Sequence, residues 1–276
     1  MQPTLTGVYA KIDRAYFHAC DLKQKLRVAL DPDSHRFVPE RDGEPSKQVY
    51  RIEGLPAVQP EWSLIFGDFL TNLRAALDHL ACQLTALEGP STCEHIHFPI
   101  RSKPPLDEKG QPRALRVDGI RNPDVIDALV AVQPYTAVKH GHLPEDTALH
   151  VLNTLVNVDK HRLLLVTMHA LHADRAWWGV PEGRQSPDIR LNLGPLEDHA
   201  PVAWFDFGDS EPYPGFDPHL SLTVRLRDRN GLAWLPLLEL MCTLGAEVEH
   251  EIGMYFAHFF GSGFRHDALQ SWRDLG

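Results

Sequence analysis

The segment Asn72-Leu73-Arg74-Ala75-Ala76-Leu77-Asp78-His79 places a guanidinium, a carboxylate and an imidazole within six residues. A guanidinium can stabilise negative charge developing on a phosphate or carboxyl oxygen, and an imidazole can carry a proton near neutral pH. Arg74 and Asp78 stand four apart and can pair along a helix, with Asn72 beside them as a further polar group. At about 100° per residue, His79 lies about 140° from Arg74, so the two can serve one site only if a second helix or a second subunit completes the cleft. The plain alternative is a structural ion pair with a satisfied histidine at a packing seam.

A second polar block, Asn157-Val158-Asp159-Lys160-His161-Arg162, falls between two apolar runs. One reading is a helix C-terminus, where Lys160, His161 and Arg162 favour the negative end of the dipole. The other brings the block to the pocket of Arg74 and His79, with Asn157 and the basic side chains contacting a phosphate and Asp159 orienting one of them.

Metal chemistry is the rival class. Glu247-Val248-Glu249-His250 contains a Glu-x-x-His step, but the second step and further glutamates of a carboxylate di-metal bundle are absent. Glu247, Glu251, Met254 and His258 then read as a solvated helix edge. His95-Ile96-His97 and His140-Gly141-His142 are spaced to chelate zinc, with no third ligand assignable, and a mononuclear site drawn from His79, His161 and His250 is the remaining option. Walker A, G-x-G-x-x-G, G-x-S-x-G and H-E-x-x-H motifs are absent, and no cofactor is expected.

The chain of 276 residues is 43 % apolar and 23 % charged, the balance of a globular protein large enough for a sizeable core. Its formal charge of −10, from 27 Lys+Arg against 37 Asp+Glu, repels polyanions overall and disfavours tight nonspecific nucleic-acid binding. The N-terminus lacks a charged and then apolar signal, and no run is apolar enough to span a bilayer; the best candidate, Leu232 to Val248, is broken by Pro236, Glu239 and Glu247. The four cysteines show no C-x-x-C spacing, so reduced thiols and a cytoplasmic location are expected.

The elements that must position these residues follow from periodicity. Helices are predicted over Leu5–Leu30, from Pro60 to Leu87, over Asp124–Val132, from Asp146 to about Asp159, and from Leu232 to Phe260. A hairpin is predicted around Arg36–Val38 and Gln48–Ile52, an exposed irregular loop between Ser91 and Pro123, and strands near Leu163–Met168, Ile189–Leu193, Val202–Phe207 and Leu220–Leu226. In the last of these, Ser221, Thr223 and Arg225 should face solvent. Trp177, Trp178 and Trp204 could mark a partner-binding surface on these strands or simply pack in the core. The class is α+β: one domain, with a bundle of four to five helices from about 1–162 and 232–262 and an antiparallel β insert over about 163–230 before the last helix.

In the second helix, Phe66, Leu70, Leu73, Leu77, Leu80 and Leu84 form the core stripe, with Asp68, Asn72, Ala75, His79, Cys82 and Ala86 opposite. Between Trp62 and Leu87 the only formal charges are Asp68, Arg74 and Asp78, so this opposite face is expected to be covered by the chain itself or by a second subunit.

Arg74, four intervening residues and His79 resemble the Arg-x4–6-His motif of HEPN domains. These are helical bundles, many of them metal-independent ribonucleases that act as dimers. The resemblance implies a homodimer through the second helix and RNA as substrate. It also implies attack of a ribose 2′-hydroxyl on the adjacent phosphate, with Arg74 stabilising the phosphorane charge and His79 moving the proton. A non-enzymatic binding or assembly protein, and a histidine-based metal protein, stand beside it as alternatives.

Overall fold

The computed structural model describes residues 2–89, 93–111, 113–161, 164, 166–172, 184–218, 220–226 and 236–275. It is an α+β protein whose chain divides into two compact units. The first comprises Met1–Leu22, Ser63–Leu164 and Leu238–Gly276, and the second Lys23–Trp62 and Leu165–Leu237.

The first unit is helical. Helix α1 (Thr6–Ala29) buries Val8, Ile12, Ala15, Ala19 and Leu22 at the three- and four-residue spacing of a single apolar face. Helix α2 (Pro60–Ala86) opens on a proline, whose missing N–H would have no partner in the first turn anyway, and buries its six-residue Phe66–Leu84 stripe to 1 % exposure or less. Helix α3 (Pro123–Ala131) is capped by Asn122, whose Oδ1 accepts the Asp124 N–H at 2.9 Å. Helix α4 (Ala148–Asp159) is capped by Thr147 and ends where the sequence turns polar, so a helix continuous into the next apolar run is excluded.

Helix α5 (Leu237–Tyr255) is shorter than expected; a 3-10 turn over Ala257–Phe260 closes on Gly261 in the left-handed region. A further helix, α6 (His266–Leu275), follows, which periodicity did not reveal because it has only two buried anchors, Trp272 and Leu275. Trp272 sits directly on Gly245 of α5: a Cβ there would lie 2.5–2.6 Å from the indole ring. The indole also meets Tyr16 and Phe69 edge-on, with ring centroids at 5.0 and 6.2 Å.

The second unit is built on an antiparallel sheet. Strands β1 (Arg36–Arg41) and β2 (Lys47–Glu53) form the expected hairpin, while β3 (Val166–His172), β4 (Asp188–Leu191), β5 (Pro201–Asp206) and β6 (Leu220–Leu226) come from the later region. The four-stranded order is β1-β2-β5-β4, and β3 pairs β6 in a separate two-stranded ladder. Strands β3 to β6 are the antiparallel insert expected before α5. The early hairpin joins it because Val49 and Tyr50 align with Trp204 and Ala203 of β5. Tyr50, Phe205, Phe207, Tyr213 and Phe216 cluster as edge-to-face rings against this sheet.

The polar side of β6 is not solvated as expected: Thr223 is 8 % exposed, and the Arg225 Nε is buried. Trp204 is half-buried under the Arg190 guanidinium, 4.1 Å from its ring, and Trp177 and Trp178 lie outside the described residues. Among the described residues no helix is long and apolar enough to cross a membrane.

Gly245→Ala forces the Trp272 indole off its seat, and overpacking of this kind costs about 1–3 kcal/mol. A urea unfolding midpoint unchanged from the parent would show that α6 does not dock through this contact.

Candidate functional site

The Arg74–Asp78 pair forms on α2 and is committed to one task. Arg74 Nη2 donates to Asp78 Oδ1 and to the Phe98 carbonyl, both at 2.9 Å, and the Phe98 N–H donates to the same Asp78 oxygen at 2.9 Å. The two side chains thus hold both backbone groups of one residue in a segment without regular secondary structure. His97 Nδ1 stands 3.5 Å from Asp78 Oδ2 at the rim. Phe98 is 2 % exposed and meets Phe256 edge-on at 6.1 Å.

The rest of this segment is held in the same way. Gln133 is 1 % exposed; its amide donates to the Pro99 carbonyl at 2.9 Å and its Oε1 accepts the Arg101 N–H at 3.0 Å. Ser102 Oγ and His150 Nδ1 are 2.6 Å apart. Upstream, Cys93 is joined to Cys82 of α2 by a disulfide, with Cα atoms 5.2 Å apart. Two expectations change here. Residues 98–102 are strapped onto the bundle rather than forming an exposed loop, and Cys82 and Cys93 are oxidised while Cys20 and Cys242 remain thiols.

His79 goes elsewhere. It is exposed on the far side of α2, where its Nδ1 lies 3.3 Å from the space a Cβ would take on Gly7 of α1. The chain covers the outer face of α2 only in part, so the alternative of a second subunit stays open: Asp68, Thr71 and His79 are exposed, Asn72, Ala75, Cys82 and Ala86 are half-buried, and Leu64 is 58 % exposed. Asn72 spends its amide on its own helix, donating to the Asp68 carbonyl at 2.8 Å.

The second polar block reaches α2 through one residue. The Asp159 carboxylate fills the space beside Gly67, both oxygens 2.8 Å from where a Cβ would stand, so only glycine lets the end of α4 approach this closely. Burial, and then the neighbouring Asp68, push the Asp159 carboxyl above its ordinary value. The buried His18 of α1 also feels Asp68; desolvation and Arg14 lower its pKa, against the pull of Asp68 and Asp21.

Asn157, Lys160 and His161 are exposed, and Arg162 lies outside the described residues. Asp159 meets α2 at Gly67, seven residues and about 10 Å before Arg74 along the axis. The expected residues therefore divide among an Arg74/Asp78 strap, an exposed His79 and an Asp159/Asp68/His18 junction.

A buried charge cluster joining α5, α1 and Arg265, the residue before α6, was not anticipated. Glu249 is 2 % exposed, and neither of its oxygens has a hydrogen-bond partner among the described residues. Arg265 Nε is 3.5 Å away, and its Nη2 pairs with Asp13 at 2.6 Å while the guanidinium lies 4.5 Å over the Tyr9 ring. Burial pushes Glu249 up to about 7, with Arg265 opposing and Asp13 adding to the rise. The signal was present in the spacing Cys242, Gly245, Glu249, Ile252, Phe256, which puts the glutamate on a core stripe.

On another face of α5, Glu247, His250 and Glu251 hold their ligand-type atoms within 4.8 Å of one another. This is the only group of three or more such side chains so close among the described residues, and it does not include His79 or His161. Burial, with Glu247 adding to it, pushes Glu251 up to about 7.

No protein-family model, no curated protein and no solved structure matches the chain.

Asp78→Ala strands the Arg74 guanidinium and the Phe98 N–H together, lowering stability by about 1–3 kcal/mol. His79→Ala, on the exposed side, stays within about 0.5 kcal/mol. Urea unfolding of the two variants distinguishes the roles; equal losses would refute the strap.

Glu251 binds its proton more tightly in the fold than in the unfolded chain. Its contribution is complete below its ordinary 4.5 and is lost as pH rises through about 7. The stability of Glu251→Gln relative to the parent should therefore grow across that interval. A pH-independent difference in unfolding midpoint, measured in chelator, would contradict this.

Proposed function

We propose that the chain is a non-catalytic assembly protein that pairs with a second copy of itself through the outer face of α2. The observation that carries this is the row Leu64, Asp68, Thr71, Ala75 and His79, exposed except for the half-buried Ala75 and spaced three or four residues apart with a single formal charge. A solvated helix face ordinarily carries several charges, whereas a face of small and neutral side chains suits close helix approach.

The row is also self-complementary. Antiparallel pairing about a twofold axis near Leu73 sets Asp68 of each copy opposite the other copy's His79, with Thr71 and Ala75 at the closest approach. Arg74 and Asp78 play no part in chemistry on this reading, because their hydrogen bonds go to Phe98.

HEPN-like cleavage of RNA is the second reading, favoured by one observation: the Arg74 Nη1 is buried with no hydrogen-bond partner among the described residues, leaving one donor uncommitted. It ranks below assembly because Arg74 is strapped to Phe98, His79 lies on the other side of α2, and the net charge of −10 opposes a polyanion.

Light scattering on the eluting protein should find a dimer, and Ala75→Glu, which sets like charges together at the axis, should give a folded monomer. A monomeric parent at high protein concentration would overturn the assembly reading. Incubation with RNA in chelator should leave it intact. Cleavage that disappears in His79→Ala would replace this reading with the nuclease.

A further inference from the structure

We infer that α5 carries a binding site for one divalent transition-metal ion of the zinc class, with Glu247, His250 and Glu251 as its protein ligands. Three observations support the site. The spacing i, i+3, i+4 projects all three side chains from one face of a rigid helix, so the backbone already holds them in register. Their donor atoms lie within 4.8 Å of one another, and ligands around 2.0–2.2 Å from a shared zinc ion sit roughly 3.5 Å apart, a difference that side-chain rotation closes.

The third observation concerns Glu251. Its Oε2 is sealed from solvent and has no hydrogen-bond donor among the described residues. A carboxylate oxygen left in that state lacks the positive partner that buried carboxylates ordinarily have, and a cation held by its two neighbours would supply one.

The chemistry of the set selects the ion. One imidazole nitrogen with two carboxylate oxygens suits zinc and its transition-metal neighbours. Magnesium and calcium prefer all-oxygen shells, and no thiolate is present to favour copper(I). Three protein ligands leave at least one coordination position for water. His250 opens onto a groove of about 590 Å³ between α5 and α6, lined also by Met254, Phe264, His266 and Asp267, which gives an ion and its water a path from solvent. The site is separate from the α2 face and stands or falls independently of assembly.

Calorimetric titration of the full chain with zinc chloride tests it, with magnesium chloride as the parallel arm. One equivalent of zinc should bind and magnesium should not. Glu247→Gln and His250→Gln should each weaken zinc by at least about tenfold. Glu247 is exposed, so its variant folds whatever happens at the more buried members.

With sixteen histidines in the chain, surface zinc binding needs its own control: His95→Gln/His97→Gln should keep the one-equivalent site intact. The inference is overturned by a parent that takes up no stoichiometric zinc, or by affinity equal to the parent in Glu247→Gln and His250→Gln. Loss of the equivalent in the His95/His97 variant would overturn it as well.

Discussion

The helical unit depends on a backbone problem solved by side chains. Between Phe98 and Ser102 the chain crosses the bundle without helix or strand, and buried peptide groups there need partners. Arg74 and Asp78 satisfy Phe98, and Gln133 satisfies Pro99 and Arg101. The strap fixes Phe98 against Phe256, and thereby ties α2 to the end of α5 across a long stretch of sequence. An arginine and an aspartate at the margin of a leucine stripe are therefore accounted for by hydrogen bonding. Their net worth is modest while the bonds are made and large once one partner is removed.

Close approach is arranged by glycine at several places in the same unit, and two of the tightest join distant elements. Gly67 admits the Asp159 carboxylate from α4, and Gly245 admits the Trp272 indole from α6. In each case the missing side chain is replaced by atoms from a distant element, so a helix-weakening residue contributes more through packing than it loses in propensity. The Gly67 contact also gathers Asp159, Asp68 and His18 in one neighbourhood, where desolvation shifts both Asp159 and His18 toward their neutral forms.

Helix α5 carries the electrostatic tension of the fold. Glu249 is almost fully buried against Arg265, which is itself shared with Asp13, so the desolvation of the glutamate is only partly offset. Glu251 faces the same difficulty without an arginine, beside Glu247 and His250. Acids raised toward neutrality on one helix make that helix sensitive to protons near neutral pH.

The sequence by itself determined the elements: the apolar stripes of α1 and α2, the Asn122-Pro123 start of α3, the hairpin and the strands were all legible, because periodicity and capping are local. It also marked Arg74, Asp78 and Asp159 as residues whose polarity needed an explanation. Only the tertiary structure decided what that explanation was. Whether Arg74 faces a cleft or a backbone carbonyl depends on where Phe98 lies, 24 residues on, and local periodicity says nothing about it. For the same reason the hairpin joined β5, Cys82 found Cys93, and Glu251 sits half-buried beside Glu247 and His250 on an edge whose Glu247, Met254 and His258 are exposed as expected. Partners of this kind are fixed by long-range packing, and a single sequence records the demand for a partner without recording its identity.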